Sequence, residues 1–524
     1  MKDSENNQSA GVNARESTLD ISDEAMGKLS TKAVALVTDY FARVSDLPVF
    51  PDTSGGDMLR RLGSDLPVEG EPIEKLLNDV RAIIDGSRHN GHPRFFGYVA
   101  SPATPPGAFA DLIASALNPS VTSWRSGPAA TEVERMVVQW LGSLIGYSNN
   151  AQGLLTSGGS MANLIALLIA HRAKSAGNPS REGLWSAQAP MTIYASDEIH
   201  MSIPKAADTL GIGRDQVRLV ESDDQFRMNV QSLRQRLESD LKVGLKPFCI
   251  AASAGTVNTG AIDPLNEIAQ VAKKYDLWLH IDGAYGALGA LDERKRRLFA
   301  GIERADSVTL DPHKWLYTPV DSGCLLFRDP AVVRAAFAAN EADYVKVHGH
   351  AGDEAFAFWD YGVELSRRFR ALKIWLTLRY YGTRRIADAI SEDISLGAYM
   401  RERVREAEDF ELLAPGELSI CCFRYVPREL RAKLNAASGD DLVRLNGELD
   451  QLNTRIMHAV QSGGRAYLSN ATVKGKFALR ACITNFRTTR GDIDTTLDVV
   501  REAARQVATE AQRDREERRD GTRQ

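Results

Sequence analysis

Seven short apolar runs, at residues 153–155, 192–195, 217–220, 248–252, 277–281, 307–310 and 324–327, recur along the chain between turns and stretches of helical periodicity. Each is shorter than a buried helix and predicts a strand. Strands separated by helices are joined by crossovers rather than hairpins, so the pattern predicts an α/β fold with a mostly parallel seven-stranded sheet covered on both faces. Such sheets bind ligands beyond the carboxyl ends of their strands, which makes the residues following each run the candidates for chemistry.

Around this core, residues 23–44 and 73–84 read as amphipathic helices separated by a connector containing Pro48, Pro51, Gly55 and Gly56. Pro128 opens a further helix and Gly146 stops it. A helix at 372–381 leads out of the core, and a small α+β part with a strand near 477–483 follows. The expected organisation is a disordered start at 1–20, a helical extension at 21–104, a large domain at 105–390, a small C-terminal domain at 391–512 and a charged, fraying tail at 513–524. There is no internal repeat.

Composition narrows the function classes. The chain has 64 basic and 69 acidic side chains in 524 residues, a net charge of −5 that gives no electrostatic case for nucleic acid or an anionic membrane. The densest apolar stretch, 161–170, contains Asn163 and falls far short of the ~18 apolar residues that span a bilayer. It reads as a buried helix. The five cysteines form no C-x-x-C pair, and the polar N-terminus resembles neither a signal nor a transit peptide, so a reducing, cytoplasmic setting is expected.

Three strand ends carry informative residues. After 153–155 comes Thr156-Ser157-Gly158-Gly159-Ser160 and then a helix. This is either a plain strand-to-helix turn or a cradle whose N–H groups meet a phosphate. After 277–281 comes Asp282, which reads as a helix cap or as a carboxylate facing a cationic ring nitrogen. After 307–310 comes Asp311-Pro312-His313-Lys314-Trp315, which puts Lys314 at a strand end. A lysine desolvated there becomes a nucleophile able to form a Schiff base.

Taken together, these stretches resemble the group II decarboxylases that use pyridoxal 5′-phosphate (PLP), the family of aromatic L-amino acid and glutamate decarboxylases. The resemblance runs from about Glu71 to about Arg490, through HPRFFGY at 92–98, SWRSGPAATEVE at 123–134, LLTSGGSMANL at 154–164, SDEIH at 196–200, SAGTVNTGAID at 253–263, LHIDGAYG at 279–286 and DPHKW at 311–315. It implies the fold type I architecture of aspartate aminotransferase and a homodimer with active sites at the interface. It also implies decarboxylation of an L-amino acid to the amine and CO₂. Lys314 then matches the lysine that holds PLP, and Asp282 the carboxylate that keeps the pyridine nitrogen protonated, which makes the ring an electron sink. His200, otherwise a core histidine, matches the residue stacked on the ring, with Ala284 on the other face. Gly159 and Ser160 match the phosphate turn, and Thr256 and His313 match residues near the cofactor. Asp311 departs from the asparagine often found there in the aromatic enzymes. Tyr344, in the polar, glycine-containing run 340–352, aligns with the loop tyrosine that returns a proton to Cα. His348 and His350 lie in that run without a ligand pattern, and no metal is expected.

Rival readings share the same residues. An aminotransferase would also use Lys314 and Asp282, and an aldehyde-forming oxidative decarboxylase would differ only in how the carbanion is quenched. A catalytically silent PLP-fold assembly protein is the non-enzyme alternative. The substrate pocket is expected at Asn90, Val99, Ser120 and Thr122, where small or polar residues replace bulky apolar ones. That exchange predicts a substrate smaller or more polar than the large aromatic amino acids.

Overall fold

The computed structural model describes residues 19–63, 65–184, 189–337 and 356–521, with side chains through 513. The expectations for residues 1–18, Tyr344, His348 and His350 lie outside the described residues.

The chain divides into two units, one formed by residues 1–46 and 51–87 and the other by 47–50 and 88–524. In the first, the helix Asp23–Arg43 starts at Ser22, whose hydroxyl accepts from the Ala25 N–H at 3.2 Å, and carries Asp23 and Glu24 in its first turn. It buries none of its own residues. Lys32 reaches Glu74 of the helix Ile73–Asp85 at 2.6 Å.

The second unit holds two sheets. Strand β1 (Phe95–Phe96) belongs to the smaller one. The larger contains β2 (Gln152–Thr156), β3 (Met191–Ser196), β4 (Val217–Val220), β5 (Lys246–Ser253), β6 (Trp278–Asp282), β7 (Ser307–Leu310) and β8 (Gly323–Phe327), in the order β2-β8-β7-β6-β5-β3-β4. Each overlaps one of the seven predicted runs. The pairs from β7 through β4 are parallel, and β8 runs antiparallel to both β2 and β7. Strands β3, β6, β7 and β8 are buried along their whole length, which is why they read as unbroken apolar runs rather than alternating ones. The helix Gly159–Lys174 packs on this sheet and buries residues around most of its circumference, Asn163 among them.

The long helix Ala371–Glu406 begins as the sequence predicts and bends at Gly382, whose φ of 74° interrupts the helical backbone. It leads to the smaller sheet, completed by β9 (Phe410–Leu412), β10 (Ile420–Tyr425), β11 (Tyr467–Val473) and β12 (Lys476–Cys482), in the order β1-β11-β12-β10-β9. Only β12 is legible in advance. In β11 the polar residues Ser469 and Asn470 sit within the strand and mask its apolar pattern.

Two buried polar contacts bind these layers. Glu134, in the helix Pro128–Leu144, pairs with Arg367 and also accepts the Leu155 N–H at 2.9 Å, so the pair is closed by backbone bonds. Asp393, on the long helix, accepts from the Trp315 indole at 2.9 Å, the Tyr317 hydroxyl at 2.7 Å and the Asn485 N–H. Asn485 in turn donates to the His92 carbonyl at 2.8 Å. Asp393 thus ties the segment after β7 to the small domain.

Burial pushes the Asp393 carboxyl up to about 7 despite its three donors. Because this value is raised on folding, the native state binds a proton that the unfolded chain releases, and stability is lost as pH rises through 7. Asp393→Asn removes that dependence. Urea unfolding should show the wild-type protein losing about 2–3 kcal/mol relative to the variant between pH 5 and pH 8. A difference that stays constant with pH contradicts this account.

Candidate active site

The carboxyl ends of β2, β3, β5, β6 and β7 converge on one cavity of about 550 Å³, and each delivers a residue to it. Beyond β2 the chain enters the helix Gly159–Lys174 through Gly158, with no side-chain cap. The first-turn N–H groups of a helix have no intrahelical acceptor, so they face the cavity available to an anion. A Cβ at Gly159 would stand 2.9 Å from both the Ala284 Cβ and Asp311 Oδ2, which restricts this position to glycine.

Beyond β3, His200 lines the cavity just before the helix Ser202–Thr209. Its Nδ1 lies 2.8 Å from the Ser202 hydroxyl and accepts the Ser202 N–H at 3.2 Å. Burial holds its pKa below the usual histidine value, against the pull of Asp282. Beyond β5, Gly255 takes a φ of 114° and passes so close to Gly286 that a Cβ would lie 2.8 Å from its Cα.

Asp282 ends β6 with 7% of its surface exposed. One oxygen accepts the Ala284 N–H at 3.1 Å and the other the Asn163 amide at 2.8 Å. Beyond β7, Lys314 sits in the short helix Pro312–Trp315, with its ammonium 2.9 Å from Asp311 Oδ2. The other Asp311 oxygen is buried without a partner. His313 lies 2.6 Å from the Ser322 carbonyl through Nδ1, and burial lowers its pKa.

The cavity therefore collects Lys314, Asp282, His200, Gly159, Ser160, Ala284, His313 and Val99. Thr256 is buried behind its wall, where its hydroxyl meets Thr259 at 3.0 Å and accepts the Ala261 N–H at 3.1 Å. Asn90, Ser120 and Thr122 do not line it. Asn90 accepts from Arg88 at 3.0 Å, and Ser120 and Thr122 bond each other at 2.6 Å, with Thr122 donating to the Leu365 carbonyl at 2.8 Å.

Arg480 and Tyr98 line the cavity and escape the sequence reading. Arg480 is a buried guanidinium held by the carbonyls of Tyr98, Val257 and Asn258. A charged residue in the middle of the apolar run KFALRAC was the signal for it. Tyr98 ends the HPRFFGY motif and takes a φ of 57°, a left-handed conformation that sequence pattern does not disclose.

Comparison with known proteins agrees with this geometry. A family model described as the pyridoxal-dependent decarboxylase conserved domain matches residues 56–426. A protein named aromatic-L-amino-acid decarboxylase from Bacillus atrophaeus is 36% identical over 492 residues, covering 94% of this chain and 98% of that relative. A phenylacetaldehyde synthase from Petunia hybrida is 31% identical, with 90% and 92% covered. Among solved structures, mouse CSAD superposes with a TM-score of 0.86 at 28% identity, covering 92% of this chain and 99% of that one. Tryptophan decarboxylase from Catharanthus roseus in complex with L-tryptophan gives 0.81 at 26% identity, with 93% and 99% covered. The fold is thus the type I fold of PLP enzymes. The chain belongs to the pyridoxal-dependent decarboxylase family and is a PLP-dependent amino acid decarboxylase.

The residues present fit that cofactor. A lysine side chain, a buried carboxylate and a glycine turn at a helix start occupy one cavity, matching in chemistry an aldehyde, a pyridine nitrogen and a phosphate. No helix among the described residues is long and apolar enough to cross a membrane.

Proposed function

We propose that this enzyme converts an aromatic L-amino acid to the corresponding amine and CO₂, with Lys314 as the residue that holds the cofactor. The observation that carries the reading is the meeting of Lys314, Asp282, His200 and the Gly158-Gly159-Ser160 turn around one cavity. When bound, PLP supplies the sink for the electron pair left as CO₂ departs. Asp282 would hold a proton on the pyridine nitrogen, and the amides at 159 and 160 would take the phosphate. His200 and the small Ala284 would hold the ring, and Lys314 would hold the cofactor by its aldehyde carbon. Arg480 is a buried cation on the cavity wall, held by backbone carbonyls, and it orients the anionic substrate as the reacting bond is aligned.

The choice of substrate follows from which wall residues are free. Asn90, Ser120 and Thr122 spend their polar groups on partners within the chain, so they do not call for a polar substrate. Val99 and Tyr98 at the cavity offer an apolar wall and an aromatic face. The expectation of a smaller or more polar substrate rested on Asn90, Val99, Ser120 and Thr122, of which Val99 lines the cavity. The relatives named as acting on aromatic amino acids support the same reading.

Tyr344 is proposed as the group that returns a proton to Cα, which separates amine formation from the aldehyde route of the synthase relatives. Exposed Leu112, Ile113 and Leu117 on the helix Pro105–Leu117 support a homodimer, and five buried free thiols support a reducing cytoplasm. Sedimentation should give twice 57.5 kDa. An active monomer contradicts the dimer.

The test is turnover with PLP across phenylalanine, tyrosine, tryptophan, dopa, valine, methionine, glutamate and aspartate. Equal yields of CO₂ and amine, with kcat/KM at least tenfold higher for an aromatic substrate, are expected. A preference for an aliphatic or acidic amino acid overturns the substrate assignment. Tyr344→Phe should cut amine formation at least tenfold and divert product to aldehyde, ammonia and peroxide under oxygen. Unchanged amine yield removes Tyr344 from the reaction.

A further inference from the structure

Behind Asp282 runs a chain of buried polar groups whose donor directions are fixed. As a carboxylate, Asp282 only accepts, so Asn163 must turn its NH₂ toward it, and the bond measures 2.8 Å. The amide oxygen of Asn163 then faces His280 Nε2 at 3.0 Å, which puts the imidazole proton on Nε2. The His280 Nδ1 accepts from the Ser307 hydroxyl at 2.9 Å, and that hydroxyl accepts the Trp278 indole N–H at 2.9 Å. Burial keeps His280 neutral, as this arrangement requires.

The second N–H of the same amide donates to the Ser202 hydroxyl at 2.8 Å. That hydroxyl is left to donate to His200 Nδ1, which also accepts the Ser202 N–H. His200 therefore carries its proton on Nε2. A flipped Asn163 would set its oxygen against the Asp282 carboxylate, and the link to Asp282 would fail. Asn163, Ser202, His280 and Ser307 are each at most 3% exposed, so water does not replace a lost link.

We infer that Asn163 is a positioning residue whose single amide, turned one way by the acceptor-only Asp282 carboxylate, holds that carboxylate in place and sets the tautomer of His200. This deepens the proposed reading of the cavity as the cofactor site and rests on it. Asn163 also borders the cavity, and its two amide N–H groups are spent on Asp282 and Ser202.

The test is Asn163→Asp, which keeps the shape of the side chain and removes the donor. Position 163 then presents a second carboxylate to Asp282, with His280 and Ser202 as its remaining neighbours. Equilibrium dialysis with PLP measures cofactor affinity independently of turnover. Relative to wild type, the variant should bind PLP at least tenfold more weakly at pH 8.5, with part of the loss recovered at pH 6, where the carboxylate pair takes up a proton. Its kcat should fall at least tenfold with KM changed less than threefold. Packing alone predicts no difference, because Asp and Asn are isosteric. Wild-type affinity, pH dependence and kcat in the variant therefore overturn the inference. Asn163→Ser keeps one small donor and serves where the Asp variant does not fold. It should lose three- to tenfold in affinity, and wild-type affinity there overturns the inference equally. Failure of the wild-type protein to bind PLP would instead strike the reading of the cavity itself.

Discussion

A carboxylate buried at the end of a central strand must find enough donors to offset its lost hydration, and the site is organised around meeting that demand for Asp282. The helix after β2 supplies the Asn163 amide, and the turn after β6 supplies the Ala284 N–H. Parallel order places the ends of β5, β6 and β7 side by side, with Ser253 opposite Asp282 and Asp282 opposite Thr309. The same order puts Lys314 and the glycine turn on the same rim of the sheet. Interior strand positions are mostly apolar because the sheet is covered on both faces, and the charged groups of the site gather at this rim.

The parts legible in sequence are those that obey local rules. The seven strands of the larger sheet appear as short apolar runs, and Lys314, Asp282 and Gly159 stand out because they follow within four residues of such a run. The smaller sheet is less visible: β9 has three residues, β11 is broken by Ser469 and Asn470, and β12 is marked by apolar residues around Arg480. Asn90, Ser120 and Thr122 have hydrogen-bond partners that sequence pattern does not disclose, Arg88 and the Leu365 carbonyl among them, because tertiary packing brings these together. Arg480 carried a signal of its own, a cation within a buried strand, and Asn163 carried the same kind of signal within an apolar helix.

Proteins named as decarboxylases and as aldehyde synthases both align with nearly the whole of this chain, so the fold alone does not decide the product. Asp282, His200 and Lys314 reach the cavity from three separate strand ends, those of β6, β3 and β7.

The central claim is that Lys314 is the residue that carries the cofactor. Borohydride reduction of the PLP-loaded protein, followed by peptide mapping, tests it directly. The account predicts a single pyridoxyl label on the peptide containing Asp311 to Trp315, at Lys314, and none in Lys314→Ala. A label on Lys205, Lys346 or Lys373, or one that persists in Lys314→Ala, would contradict it.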